Sequence, residues 1–258
     1  MRPVKWFFGT AILTSAVACS NSSGPSGTGR QVAFQLATRP SAGATASGLA
    51  ASTTGSEIVK LGSDSINFSQ VQLVLRRIEL TRASASACDT LAVTHDCEEL
   101  ETGPVLVDLP LGSGAQRQFT VAVDTGSYSK LELQIHRPES GSSADAAFLQ
   151  ANPGFLGVSI KAIGAYDGIP FTYTSDLDVG QEQTFSTPLV ITDAAGAQLT
   201  LLVDLSKWFV NGGGTGLVDP ATALIGQPNE GLVKSNIEAS FHAFEDANQD
   251  GRDDHATF

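Results

Sequence analysis

The residues of this 258-residue chain best placed to do chemistry lie near its C-terminal end, where 246–254 read Asp-Ala-Asn-Gln-Asp-Gly-Arg-Asp-Asp. Oxygen-bearing side chains fall two apart at Asp246, Asn248 and Asp250; Gly251 follows, and Asp254 stands eight after the first. A hard cation such as calcium takes six to eight oxygens at about 2.4 Å, and alternate residues of a tight loop can converge on one point. Glycine serves where the chain turns sharply, and Arg252 can offer its backbone carbonyl. The competing reading is a solvated acidic tail, common at exposed termini. Chance tails rarely set Asp, Asn and Asp at alternate positions directly before Gly, so calcium is the expectation.

The segment closely resembles the first nine positions of an EF-hand-type calcium loop. The resemblance implies ligands from the side chains of Asp246, Asn248, Asp250 and Asp254 and from the backbone of Arg252. It departs at the twelfth position, where Thr257 replaces the bidentate Glu. Asp253 or the terminal carboxylate of Phe258 is expected to substitute.

Chemistry of a second kind is written at the start. Arg2 and Lys5 precede an apolar stretch from Trp6 to Val17, which ends in small residues before Cys19. A positive start, a short apolar run and small residues match an export signal, and the run is too short for a membrane span, which needs about 20 residues. Ala16-Val17-Ala18-Cys19 resembles the lipobox of bacterial lipoproteins, with Ala16 where Leu is usual. The resemblance implies cleavage of residues 1–18, lipidation of Cys19 and, because Ser20 rather than Asp follows, delivery to the outer membrane. The mature chain would keep 13 basic against 27 acidic side chains, a balance of −14. So acidic a chain repels anionic headgroups, which leaves lipid to hold it at a membrane. Phosphate binding needs clustered Lys and Arg, and none appears, so nucleic acid is excluded as a partner. Residues 20–29 have no apolar side chain to bury and read, with Cys19, as a tether.

Cys88 and Cys97 remain. An isolated pair this close, outside the cytoplasm, is expected to form a disulfide. The alternative, zinc held with His95 and Asp96, fits poorly because zinc pairs usually lie two to four residues apart.

These sites need a scaffold, and from Gln31 onward the dominant hydrophobic period is two. Val32, Phe34 and Leu36 share one face, as do Phe119, Val121 and Val123. Leu131, Leu133 and Ile135 face inward while Lys130, Glu132, Gln134 and His136 alternate toward water. Val71, Leu73 and Leu75 share a parity that switches at Ile78 and Leu80, which predicts a bulge near Arg76-Arg77 or a break between two strands. Asp167-Gly168 suits a tight hairpin turn between Val158–Ala162 and Phe171–Tyr173. Residues 40–56 read as a loop, Val105–Leu109 as a short strand, and Pro188–Thr192 and Gln198–Asp204 as two more. With 41% hydrophobic and 16% charged residues, the chain is globular, since a disordered one would carry more charge and fewer apolar side chains. The expected fold is mainly β: an antiparallel β-sandwich of about nine short strands over 30–228, then a helix and the Asp-rich loop over 229–258. Val233, Ile237, Phe241 and Phe244 recur as on a helix, although Ile237, Ala239, Phe241 and Ala243 also alternate as in a strand. Helix is favoured for 232–244.

No G-x-S-x-G elbow, H-E-x-x-H pair, P-loop or G-x-G-x-x-G fingerprint is present, so catalysis is not expected. Gly212–Gly216 lacks the Lys and spacing of a phosphate cradle, and Trp208-Phe209 reads as a core plug rather than a ligand platform. The lipobox, the Asp204–Phe209 segment and the run Asn236–Asp246 together resemble uncharacterised bacterial envelope lipoproteins with a β-sandwich. Such a family brings no known activity with it, and the expected role is binding or scaffolding at the cell surface, with a surface protein or glycan as partner. Two alternatives stay open: a carbohydrate-binding module using Tyr166, Tyr173 or Trp208, and a hydrolase with a loop-built site.

Overall fold

A computed structural model of the chain describes residues 30–38, 55–84, 97–101, 103–112, 115–192, 197–247 and 253–255. The export signal, Cys19, the tether to residue 29, most of the 40–56 loop, Cys88, Asn248, Asp250 and Arg252 lie outside the described residues. The elements run β1 (Arg30–Ala37), β2 (Glu57–Leu61), β3 (Asp64–Arg82), β4 (Cys97–Glu101), β5 (Val105–Asp108), β6 (Gln116–Val123) and β7 (Gly126–Ile135). Then come α1 (Ala146–Ala151), β8 (Ile160–Tyr166), β9 (Ile169–Ser175), β10 (Val179–Ile191), β11 (Ala197–Val203), α2 (Glu230–Glu238) and β12 (Phe241–Glu245).

The fold is the expected two-sheet β architecture. One sheet has the order β12-β11-β1-β6; the other runs β10-β7-β3-β8-β9, with β2, β4 and β5 also paired to β3. Val32, Phe34 and Leu36 of β1 and Leu199, Leu201 and Val203 of β11 share the core with Leu73 and Leu75 of β3 and with Leu131 and Ile135 of β7. One pairing departs from antiparallel: β1 lies parallel to β11, with Val32 opposite Ala197 and Ala37 opposite Leu202.

The strands are more numerous than nine, and two are long. β3 is one 19-residue strand that touches β2, β4, β5, β7 and β8 along its length. It changes parity without breaking, because extra residues are absorbed in bulges. Against β7 the register passes from Arg76–Gln134 to Glu79–Glu132, and Arg77 takes φ +52°. That is the expected bulge, and it swings Ile78 and Leu80 into the core after Leu75. A second irregularity against β8, between Phe68 and Gln70, brings Val71 inward after Phe68. β10 likewise runs for 13 residues, and Pro188 sits where its pairing with β7 slips between Thr184 and Leu189. A residue without an N–H is tolerated at such an irregularity. The β8–β9 hairpin turns on Asp167 and Gly168, with φ of +47° and +83°, the left-handed pair that a tight hairpin turn requires.

The C-terminal helix ends sooner than 244. α2 buries Val233 and Ile237, stops at Glu238, and yields to β12, which pairs antiparallel with β11 from Val203–Phe241 to Leu199–Glu245. The strand alternation of the same residues wins there because the open edge of β11 supplies hydrogen-bond partners to the backbone. The sandwich therefore extends to Glu245, directly before the Asp-rich loop.

Candidate functional site

β12 delivers Asp246 to the end of the β11–β12 ladder. The Asp246 N–H donates to the carbonyl of Gln198 at 3.0 Å, one step beyond the last strand pair. Its side chain is fully buried, and Thr200 Oγ1 donates to its Oδ2 at 3.1 Å. A buried carboxylate is costly unless donors or cations compensate it, and the Thr200 hydroxyl is one such donor.

The loop returns to where it left. The Ala247 N–H donates to Asp254 Oδ2 at 2.7 Å, and the Asp254 N–H donates to the carbonyl of Glu245 at 3.2 Å. Gln198 Nε2 donates to the carbonyl of Ala247 at 2.9 Å. Asp253 accepts from Ser186 Oγ of β10 at 2.8 Å and from the His255 N–H at 2.9 Å. His255 Nε2 lies 3.1 Å from Glu245 Oε2, and that hydrogen bond raises the imidazole above its ordinary range. Asp246 and Asp254, first and ninth of the expected ligand set, thus flank a closed loop mouth. Asn248, Asp250 and Arg252 belong to the part outside the described residues. Among the described residues no group of three or more His, Cys, Asp or Glu is arranged to hold a metal.

Tyr166, Tyr173 and Trp208, the aromatics of the carbohydrate-binding alternative, do not form an exposed platform. Trp208 and Tyr173 are fully buried and Tyr166 is partly so. Trp208 packs edge-on to Phe68 at 6.3 Å, Tyr173 meets Phe209 at 5.2 Å, and Trp208 Nε1 donates to Ser240 Oγ at 3.0 Å. This is the core plug. The Gly212–Gly216 run is closed on itself: Asn211 Oδ1 accepts from the N–H groups of Gly213 and Thr215, each at 3.1 Å. Cys97 opens β4 opposite Thr81, while its expected partner Cys88 lies outside the described residues.

A second constellation escaped the sequence. His136, expected to face water, is buried just past the end of β7, where Asp145, directly before α1, lies against its ring. Phe148 and Phe155 close over Val74 there, forming a small core on the far side of β3. His136 Nε2 lies 2.8 Å from Asp145 Oδ1, and Asp145 Oδ2 accepts the Glu139 N–H at 2.9 Å. Burial works to raise the Asp145 carboxyl, but the Glu139 N–H and His136 outweigh it and hold the group below its ordinary value. The nine-residue separation of His136 and Asp145 carries no recognisable pattern, so no sequence signal marks the pair.

No family model matches the chain, and no curated protein matches it. A solved structure, MbnP from Methylosinus trichosporium, is similar at 13% identity over 84% of this chain and 98% of that one, with a TM-score of 0.43. A likeness of that degree carries nothing about function.

Proposed function

We propose that the chain is a lipid-anchored, calcium-binding protein of the bacterial cell envelope whose role is binding or scaffolding rather than catalysis. The observation that carries the calcium reading is the loop mouth: a fully buried Asp246 at the ladder end, with Asp254 returned to it through Ala247. Asp246, Asn248, Asp250 and Asp254 would supply side-chain oxygens and Arg252 a carbonyl. Calcium would offset two of the three carboxylate charges of Asp246, Asp250 and Asp254 and order the tail against β10 and β12. Anchoring rests on Ala16–Cys19, with Cys19 carrying the lipid and the outer membrane as the destination. A Cys88–Cys97 disulfide would tie the segment before β4 to the sheet. The intact mass of protein extracted from membranes reads both lipid and disulfide; an unmodified Cys19 or two reducible-free thiols would remove the respective claim.

The calcium experiment is a calorimetric titration of the full mature chain. Without a bidentate Glu, the dissociation constant is expected on the order of 10⁻⁴ to 10⁻³ M. Asp250→Ala is the informative variant, since Asp246 is part of the fold through Thr200. Wild type should release or absorb heat with calcium, and Asp250→Ala should not. Equal heats from both, or none from either, would overturn the reading.

A further inference from the structure

We propose that His136 and Asp178 form a second cation site, for a transition-metal dication of the zinc class, just beyond the Ile135–Val179 end of the β7–β10 pair. It is independent of the calcium loop and rests on none of its residues.

The His136 imidazole is almost wholly enclosed. Its side chain is 7% exposed and its Nε2 sits 2.8 Å from a carboxylate that is itself 1% exposed. An ionised carboxylate only accepts, so Nε2 donates to Asp145, and Nδ1 is the ring nitrogen left facing Asp178. That Nδ1 is buried and has no hydrogen-bond partner. A buried polar atom left without a hydrogen bond is costly, so such an atom calls for an explanation.

The nearest charged group supplies one. Asp178 Oδ2 lies 3.8 Å from His136 Nδ1, too far for a hydrogen bond. Metal bonds of about 2.0–2.2 Å set two donors of one ion about 3.4–3.8 Å apart, for angles from tetrahedral to somewhat wider. The separation fits one ion shared by both atoms.

The outer shell is already complete. Metal-bound imidazoles almost always donate their other N–H to a carboxylate or carbonyl, which fixes the tautomer and ring plane. Asp145 does this for His136, and the Glu139 N–H in turn fixes Asp145. The second ligand is held in the same way. Gln134 Nε2 donates to Asp178 Oδ1 at 2.6 Å, and the Arg137 N–H approaches Oδ2 at 3.3 Å. Asp178 is 33% exposed, so the ion would enter from solvent on that side and complete its shell with water. One nitrogen and one carboxylate oxygen select zinc, copper, nickel or cobalt over calcium, which prefers oxygen alone.

The test titrates the mature chain with zinc, in calcium-containing buffer, while long-range proton–nitrogen spectra follow each imidazole. The His136 Nδ1 resonance should move to a metal-bound position while Nε2 stays protonated. Asp178→Asn, which keeps shape and exposure, should weaken zinc binding at least tenfold. Asp145→Asn should redistribute the tautomer and weaken zinc as well, although it touches no metal. Asp250→Ala should bind zinc as wild type does, which separates this site from the calcium loop. Shifts confined to His242 or His255, or no loss of affinity in Asp178→Asn, would overturn the proposal.

Discussion

Arg77 sits in the left-handed region at φ +52° with its side chain exposed, a conformation that costs a side-chain-bearing residue about 1–2 kcal/mol. The bulge needs that backbone, because it returns the apolar set of β3 to the core after Arg76. Glycine would relieve the steric cost but lose more entropy on folding, so Arg77→Gly should raise stability by about 0.5–1 kcal/mol. In a thermal melt this appears as a midpoint about 2 °C higher. A lower midpoint would mean the arginine side chain contributes more than its backbone costs. This residue was legible in advance, since the parity switch from Leu75 to Ile78 admits few other geometries. His136 was not. Its alternation with Lys130, Glu132 and Gln134 says water, and it is Asp145, folding back from nine residues on, that meets the ring there. Local pattern reports which side of a strand a residue occupies, but not what later arrives to cover that side.

At the scale of elements, α2 is clamped as well as buried. Lys234 Nζ lies 2.6 Å from Asp176 Oδ1 in the β9–β10 connection and equally close to Oε1 of Glu230. Hydrogen bonding to Lys234 holds the Asp176 carboxyl below its ordinary value. Burial works to lower Lys234, but its bonds to Asp176 and Glu230 outweigh that and raise it. A lowered carboxyl stabilises the fold above its unfolded value near 3.8, and that contribution is lost as pH falls through the lower folded value. A raised lysine stabilises below its unfolded value near 10.5 and loses the contribution as pH climbs through the higher folded value. The melting difference between wild type and Lys234→Met should therefore stay level across the neutral range and shrink at both extremes, below about pH 4 and above about pH 10. A difference that changes between pH 6 and 8 would show that the clamp is not its source. The helix itself was legible to Glu238 from Val233 and Ile237. β12 was not, because Phe241-His-Ala-Phe-Glu satisfies both periods, and the choice falls to the edge of β11 some forty residues earlier. The parallel β1–β11 pair was hidden for the same reason, since it joins residues about 165 apart that share no local signal.

For the whole molecule, the proposed anchoring has to hold a strongly acidic protein at a membrane. Cleaved as proposed, the chain would keep 13 basic and 27 acidic side chains and would be repelled by anionic headgroups rather than drawn to them. Among the described residues no helix is long and apolar enough to span a bilayer. In the proposed arrangement the lipid on Cys19 does the holding and residues 20–29 keep the sandwich at a distance. A Ser/Gly-rich chain of ten residues has a mean end-to-end span of about 17 Å. Charges are screened over about 8 Å at physiological ionic strength, so that span carries the fold beyond about two screening lengths. The tether then makes the negative surface compatible with an anionic membrane without any basic patch to offset it. Cys19→Ala should consequently float free of anionic vesicles at physiological salt and at one tenth of it, while the lipidated wild type co-sediments at both. Millimolar calcium should not rescue the variant, because one bound ion leaves the balance far below zero. Salt-independent sedimentation of Cys19→Ala would place the membrane attachment in the sandwich itself and remove the lipid from the argument.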